Sequence, residues 1–153
     1  MIIRSIVLTD LDMICQHRES MFLEAGRSPD VLTTMAAPFR QWLMEHLAKG
    51  TYFGFFAEEN GHSIGGVGMM EIDWPPHPAH PLASKRGYVL NVFVDPAYRG
   101  RGIARALMKA AEIEFLSRGI DYIILHATNA GRALYESDGW IRTTEMAKNL
   151  QAS

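Results

Sequence analysis

The sequence predicts one mixed α/β domain. Strand-like and helix-like segments follow one another along the 153 residues in the order β-α-α-β-β-β-α-β-α-β. No repeat, low-complexity tract or linker divides them, and 48% hydrophobic with 21% charged residues is ordinary for a globular domain. A chain of this length can also bury a sizeable core. We therefore expect residues 1–153 to form a single domain.

The N-terminal third predicts a strand followed by two helices. Residues 2–8 alternate well enough between apolar and polar types for a strand. Apolar residues then keep helical spacing over residues 11–25, and Gly26 ends that helix. Apolar residues within 31–47 predict the second helix, and Pro38 marks the place where it could break.

The middle of the chain predicts a β-hairpin and a loop. Residues 51–57 are aromatic and strand-like, and the following segment 58–61 holds the Asn-Gly pair that favours a tight turn. Residues 64–74 form the return strand, whose glycines indicate that another group approaches its backbone closely. Residues 74–81 hold four of the seven prolines and must form an extended loop.

The C-terminal half predicts three more strands and two helices. Residues 88–94 are almost continuously apolar, which is typical of a buried central strand, and residues 122–127 predict another. Between them, residues 103–116 have the alanine and leucine content of an amphipathic helix. A short helix that carries Tyr135 precedes a last strand near residues 140–146.

A glycine-rich turn, Arg99-Gly100-Arg101-Gly102-Ile103-Ala104, joins the central strand to the following helix. A strand, such a turn and a helix N-terminus together aim free backbone N–H groups at an anion. Glycine allows close approach and positive φ, and arginines at positions 99, 101 and 105 add charge. The turn therefore predicts a phosphate-bearing ligand, against the alternative of a plain turn with solvated arginines.

Two better-known phosphate motifs do not fit this turn. A Walker loop requires Gly-Lys-Ser or Gly-Lys-Thr, and neither tripeptide occurs in the chain. A dinucleotide fingerprint requires a glycine or alanine where Arg105 stands, and it needs more chain than follows for a second mononucleotide-binding half. A nicotinamide-dependent oxidoreductase is thereby disfavoured.

The pattern that fits is Arg/Gln-x-x-Gly-x-Gly/Ala, which matches Arg99, Gly102 and Ala104. Downstream stands Leu-Tyr-Glu-Ser-Asp-Gly-Trp over residues 134–140. On these two motifs, and over nearly its whole length, the chain resembles the GNAT superfamily of N-acetyltransferases, with Trp140 in place of the usual phenylalanine. The resemblance implies a mixed, mostly antiparallel central sheet flanked by helices.

The resemblance also implies that acetyl-CoA is the acyl donor. Its pyrophosphate would bind the turn over residues 99–104, and its pantetheine arm would pair with main-chain groups of Val92 and Val94. Asn91 could mark the bulge that splays this strand from the next, or simply point to the other face. Asn129 matches a family asparagine that contacts the arm, although it could equally cap the short helix.

The same resemblance implies which residues do the chemistry. Tyr135 would donate a proton to the leaving thiolate, since a phenol with a pKa of roughly 10 stays protonated at neutral pH. The acceptor amine must lose a proton, and Glu71 is the first candidate for its base. Asp73 and His126 are the alternatives, and each of the three could instead be a solvated or buried structural residue.

Other functional classes are expected to be absent. The net charge of -2 does not suit nucleic acid or an anionic membrane surface. No apolar run reaches a membrane span and no signal-peptide pattern is seen, so a cytoplasmic location is expected. His77 and His80 stand without further ligands, so no metal is expected. Cys15 is predicted to pack in the core, which favours direct transfer over an acyl-enzyme.

The resemblance therefore implies transfer of an acetyl group from acetyl-CoA to a primary amine of a small molecule or peptide. The first alternative is a CoA-binding or regulatory module of the same fold without turnover. The acceptor is expected to lie between the two early helices and the loop at residues 74–81. The resemblance also makes a homodimer a reasonable expectation.

Overall fold

The computed structural model describes residues 1–151. The elements are β1 (Ile2–Ser5), α1 (Leu11–Glu24), α2 (Pro29–Lys49), β2 (Phe53–Glu59), β3 (His62–Asp73), β4 (Lys85–Val94), α3 (Ile103–Ser117), β5 (Ile123–Leu125) and α4 (Arg132–Ser137). The predicted order of strands and helices is therefore confirmed as far as α4.

The five strands form one mixed sheet in the order β1-β2-β3-β4-β5. The first four strands pair antiparallel, and β5 runs parallel to β4. Parallel neighbours need a crossover connection, which α3 supplies. The expected mixed and mostly antiparallel sheet is confirmed.

Helices cover both faces of this sheet. On one face α3 packs over a core that includes Val67, Met69 and Leu107. On the other face α1 and α2 pack over a second core that includes Leu43 and Phe56. Successive side chains of a strand point to opposite faces, so β3 and β4 contribute side chains to both cores. This is why the sequences of these two strands are almost continuously apolar.

The glycines of β3 make room for aromatic groups of β2 and of the residue before it. A Cβ atom at Gly68 would collide with the Tyr52 hydroxyl, and one at Gly66 would come 2.8 Å from the Phe56 ring. The predicted close approach at these glycines is therefore confirmed. If Gly68 carried a side chain, Tyr52, which is only 2% exposed, could not lie across the face of β3.

Helix α2 runs unbroken through Pro38, contrary to the break that proline suggested. A proline removes one helical hydrogen bond and crowds the preceding turn. Leu32, Phe39 and Leu43 are all buried along one side of α2. The packing of that apolar stripe is the main source of helix stability in a folded protein, and it holds the helix together on both sides of the proline.

The last predicted strand, near residues 140–146, is wrong: no strand forms there. The Trp140 N–H donates to the Tyr135 carbonyl and closes α4, and residues 141–150 are exposed. The predicted strand at 122–127 is also shorter, at Ile123–Leu125. A strand requires the backbone of a neighbour, and the alternation of side chains in a sequence cannot supply one.

One buried titratable group of the fold is His17 of α1. It is 7% exposed and lies against the rings of Phe56 and Phe93, at centroid distances of 5.4 and 4.5 Å. Burial disfavours the imidazolium and lowers the pKa of His17 from 6.5 to about 4. As the pH falls below 6.5, an unfolded chain takes up a proton that the folded protein excludes.

His17 should therefore make the protein less stable in acid. Stability that is fully present above pH 6.5 should fall as the pH drops towards 4, by about 3 kcal/mol from this residue. Urea unfolding of the wild type and of His17→Leu at pH values from 7.5 to 4 measures this loss of stability. All other groups titrate alike in the two proteins, so the difference between their free energies of unfolding reports on His17. Stability curves that run parallel over this range would contradict the assignment.

Candidate functional site

The turn before α3 presents a row of free backbone donors. Gly100 and Gly102 adopt φ values of +77° and +76°, in the left-handed region. The first hydrogen bond of α3 is donated by the Ala106 N–H to the Gly102 carbonyl at 3.0 Å. Within residues 1–151 the N–H groups of residues 100–105 have no acceptor. Together with the positive end of a 15-residue helix, they form a site suited to an anion.

The three arginines of this turn are already paired with carboxylates. The distances are 2.8 Å from Arg99 Nη2 to Glu24 Oε2, 2.6 Å from Arg101 Nη2 to Glu59 Oε1 and 3.1 Å from Arg105 Nε to Asp138 Oδ1. Their positive charge is largely balanced within the chain. Affinity for an anion at this turn therefore depends on the backbone N–H groups more than on the arginines.

Strand β4 contains a bulge at Asn91. The pairing between β3 and β4 shifts between Gly66 and Gly68, and Asn91 has a φ of +54°. Its side chain is buried on the face of α1 and α2, where Nδ2 donates to the Tyr52 hydroxyl at 2.9 Å. Both interpretations of Asn91 left open by the sequence are thus true: it marks a bulge and points towards the two early helices.

Within residues 1–151, β4 has no paired strand on its β5 side beyond this bulge. The last pair between the two strands is Val89 and Leu125, whereas β4 continues to Val94. A single 3-10 turn, Pro96–Tyr98, then connects β4 to the glycine turn. Val92 and Val94 lie on this open stretch, where an extended ligand arm could pair with the backbone, and their binding role stays a prediction.

Tyr135 lies on α4 with its side chain largely buried. Its ring packs against the core under α3 and stands 6.0 Å from the ring of Trp140. Burial raises the pKa of the Tyr135 hydroxyl, which keeps the phenol protonated at neutral pH. Its catalytic role stays a prediction.

Asn129 is exposed in the loop before α4. Gly131 occupies the N-cap position of that helix, which has no side-chain cap, and its N–H donates to the Thr128 hydroxyl at 3.2 Å. The alternative that Asn129 caps the short helix is therefore wrong. Contact between Asn129 and the donor arm stays a prediction.

Glu71 lies on the face of the sheet that α3 covers, next to Met69 in alternation. Its carboxylate accepts from Lys85 Nζ at 3.1 Å and stands 3.6 Å from Arg118 Nη1. Asp73 is exposed at the end of β3. The structure thus places the first candidate base between two cations, on the face opposite α1 and α2, and its role as a base stays a prediction.

A second titratable group stands where β4 and β5 separate. His126 follows β5, with its ring 5.7 Å from that of Tyr88 and its Nε2 3.7 Å from Glu145 Oε2. Burial, together with the charge of Glu145, raises the pKa of Tyr88. The sequence suggested His126 but not its two neighbours, because Glu145 lies in a segment that was expected to be a strand.

An open cavity of about 360 Å³ lies between the two early helices and the sheet. Helices α1 and α2 contribute Arg18, Met35, Phe39 and Trp42, and the strands contribute Met70 and Leu90. The expectation that the acceptor lies against the early helices agrees with this cavity. The loop at residues 74–81 supplies none of its wall.

Residues 1–151 contain neither a metal-ion site nor a helix suited to a membrane. No group of three or more histidine, cysteine or acidic side chains is arranged to hold a metal ion there. Among the helices of the same residues, none has the length and apolar character to cross a membrane.

Comparison with known proteins agrees with the cavity, the open edge of β4 and the glycine turn. Residues 11–140 match the model of the acetyltransferase (GNAT) family. The chain belongs to this family. The matched range runs from the start of α1 to Trp140, so it holds the whole cavity, the bulge and the glycine turn.

Two solved structures and one curated protein show the likeness. A GCN5-related N-acetyltransferase from Ralstonia eutropha is 52% identical with a TM-score of 0.97, covering 99% of each chain. A predicted acetyltransferase with acetyl-CoA from Clostridium acetobutylicum is 25% identical with a TM-score of 0.88, covering 97% of this chain and 94% of that one. The mycothiol acetyltransferase of Thermobispora bispora is 36% identical over 94 residues, 60% of this chain. The chain spans only 31% of that curated relative.

The glycine turn generates a binding prediction. Gly102→Val places a branched side chain beside the free N–H groups, and we expect it to weaken CoA binding by more than about tenfold, the loss of one or two charge-assisted hydrogen bonds. Calorimetry with CoA measures it. Gly119→Val is the matched control, because Gly119 also has a φ of +77° and open space but lies at the far end of α3. Equal CoA affinity in the two folded variants would remove the turn from the site.

Proposed function

We propose that the protein transfers the acetyl group of acetyl-CoA to a primary amine by direct attack within a ternary complex. One observation carries this proposal. The open edge of β4 runs from the free N–H groups of residues 100–105 back to the bulge at Asn91, and the cavity under α1 and α2 borders that bulge through Arg18. A donor can thus reach the bulge along the strand edge while an acceptor reaches it from the cavity.

The donor would bind mainly through the backbone. Its pyrophosphate would accept hydrogen bonds from residues 100–105, where six consecutive N–H groups have no acceptor within residues 1–151. Its pantetheine arm would lie along Val92 and Val94, as a strand added to the open edge of β4, with Asn129 beside it. Membership of the GNAT family and the acetyl-CoA in the name of the Clostridium relative support this donor.

The reaction needs two proton movements. The amine nitrogen attacks the thioester carbonyl carbon and forms the C–N bond, and collapse of the tetrahedral adduct breaks the C–S bond. The departing thiolate takes a proton from the Tyr135 hydroxyl, whose raised pKa keeps that proton available. The amine gives its own proton to a base.

Geometry favours His126 over Glu71 as that base. Glu71 is held by Lys85 and Arg118 on the face covered by α3. His126 stands where β4 and β5 separate, and Glu145 can stabilise its imidazolium after proton uptake. The acceptor itself is a small molecule or peptide amine, and assembly as a homodimer remains part of the proposal.

The role of Tyr135 is tested by Tyr135→Phe, which deletes only the hydroxyl. We expect turnover to fall by roughly 10²- to 10⁴-fold, the range of a general acid, with acetyl-CoA affinity nearly unchanged. Tyr122→Phe is the control, since Tyr122 is a half-buried tyrosine just before β5. Thiol release gives kcat and calorimetry gives the affinity. A Tyr135→Phe enzyme with wild-type kcat would exclude the proton donor role.

The base is tested by comparing His126→Gln with Glu71→Gln. We expect His126→Gln to lower kcat/KM at pH 7 by about 10²-fold and to recover part of it at high pH, where the free amine is abundant. Glu71→Gln should keep the wild-type pH–rate profile, with a change in stability alone. The reverse pattern would make Glu71 the base, and two unchanged profiles would leave the proton to water.

A further inference from the structure

Arg18 of α1 is a half-buried cation without an anionic partner in the wall of the cavity. Within residues 1–151 it forms no ion pair with aspartate or glutamate. Its Nη1 donates to Asn91 Oδ1 at 2.7 Å, and its Nε is buried with no acceptor. Its guanidinium carbon lies over the rings of Phe22 and Phe39, at 4.9 and 4.5 Å.

This arrangement leaves the charge of Arg18 uncompensated. Burial lowers its pKa, yet a guanidinium keeps its proton in proteins, so a full positive charge stays in an apolar wall. A charge removed from water is costly unless an opposite charge pairs with it. The arginines of the glycine turn have such partners, and the groups nearest to Arg18 are neutral: Asn91, the phenols of Tyr52 and Tyr88, and the thiol of Cys15.

The rest of the cavity is apolar and small. The other wall residues are methionine, proline, leucine and the aromatic rings of Phe39 and Trp42. Its volume of about 360 Å³ lies near the lower end of ligand pockets, which span about 300–1,000 Å³. Because no carboxylate of residues 1–151 lines the cavity, a polycationic acceptor would bring its own charge against Arg18 without compensation.

We propose that the acceptor is a small amino carboxylate with an apolar side chain, of the kind represented by a free apolar amino acid. Its carboxylate pairs with the guanidinium of Arg18, its side chain lies against the apolar wall, and its amine faces the bulge of Asn91. This inference rests on the proposed acetyl transfer. A planar carboxylate matches the fork of an arginine, and the pair is stronger where water is excluded.

Matched acids and amides test the proposal. Thiol release from acetyl-CoA is measured with L-leucine, L-methionine and L-phenylalanine and with their primary amides. Acid and amide differ in amine basicity, so the quantity compared is the acid-to-amide ratio of kcat/KM in the wild type divided by that ratio in Arg18→Met. Methionine keeps an apolar stem over the two rings. We expect a quotient of about 10 to 100, as for a charge-assisted hydrogen bond.

Two further variants keep the test decisive. Arg18→Gln replaces Arg18→Met if the latter fails to fold, because it retains a donor for Asn91. Arg27→Met is the control, since Arg27 is an exposed arginine in the loop between α1 and α2. It should keep the wild-type ratio. If Arg18→Met slows acids and amides alike, the quotient of the two acid-to-amide ratios is near one. That result would overturn the proposal and place Arg18 at the reacting atoms instead.

A binding arm separates this proposal from acetyl transfer itself. Calorimetry with CoA present compares the N-acetyl amino acids with their primary amides, for the wild type and for Arg18→Met. A preference for the acids that disappears in the variant supports the carboxylate site even if no thiol is released, in which case acetyl transfer alone is wrong. No preference for the acids in the wild type would overturn the carboxylate site.

Discussion

The hydrogen bonds of Asn91 connect strand β4 to Arg18 of α1 and to Tyr52. Asn91 stands in the left-handed region inside an otherwise regular strand, and it is only 5% exposed. Its amide donates to the Tyr52 hydroxyl and accepts from Arg18, so a buried polar group keeps both of its partners. Burial raises the pKa of Tyr52 to about 12, which keeps this phenol neutral at any ordinary pH. The bulge of β4 and the position of Arg18 both depend on this small network.

The bulge connects the two halves of the site. The pairing of β4 with β5 ends at Val89, just before the bulge, and the rest of β4 has a free edge that leads towards the glycine turn. On the helix side, the same residue holds Arg18 at the wall of the cavity. One backbone irregularity therefore lies between the open edge of β4 and the cavity under α1 and α2.

The glycine turn and the cavity under α1 and α2 differ in how their arginines are paired. At the glycine turn each arginine has its own carboxylate, so an anion would be held by oriented N–H groups. In the cavity, by contrast, the guanidinium of Arg18 lies among apolar side chains, and no carboxylate of residues 1–151 pairs with it. The chain thus contains two sites suited to anions, one built from backbone dipoles and one from a single charge.

The sequence by itself determined the order of the elements as far as α4 and the positions of the glycines that take a positive φ in the turn before α3. Hydrophobic periodicity and the need of glycine for a positive φ are properties of neighbouring residues, so they can be recognised without a structure. The two motifs around Arg99 and Tyr135 were also sufficient to indicate the family. The glycines of β3 indicated a close approach, although not that Tyr52 makes it.

Only the tertiary structure decided which groups meet. Arg18 and Asn91 are 73 residues apart in the sequence, and neither residue type indicates the other. The face on which Glu71 lies follows from the alternation along β3, but which face holds the cavity follows from where α1 and α2 pack. Likewise, the strand expected near residues 140–146 would have needed a partner backbone that no local pattern can provide. Pairing over long distances is set by the packing of the whole domain, and a sequence pattern contains only its local part.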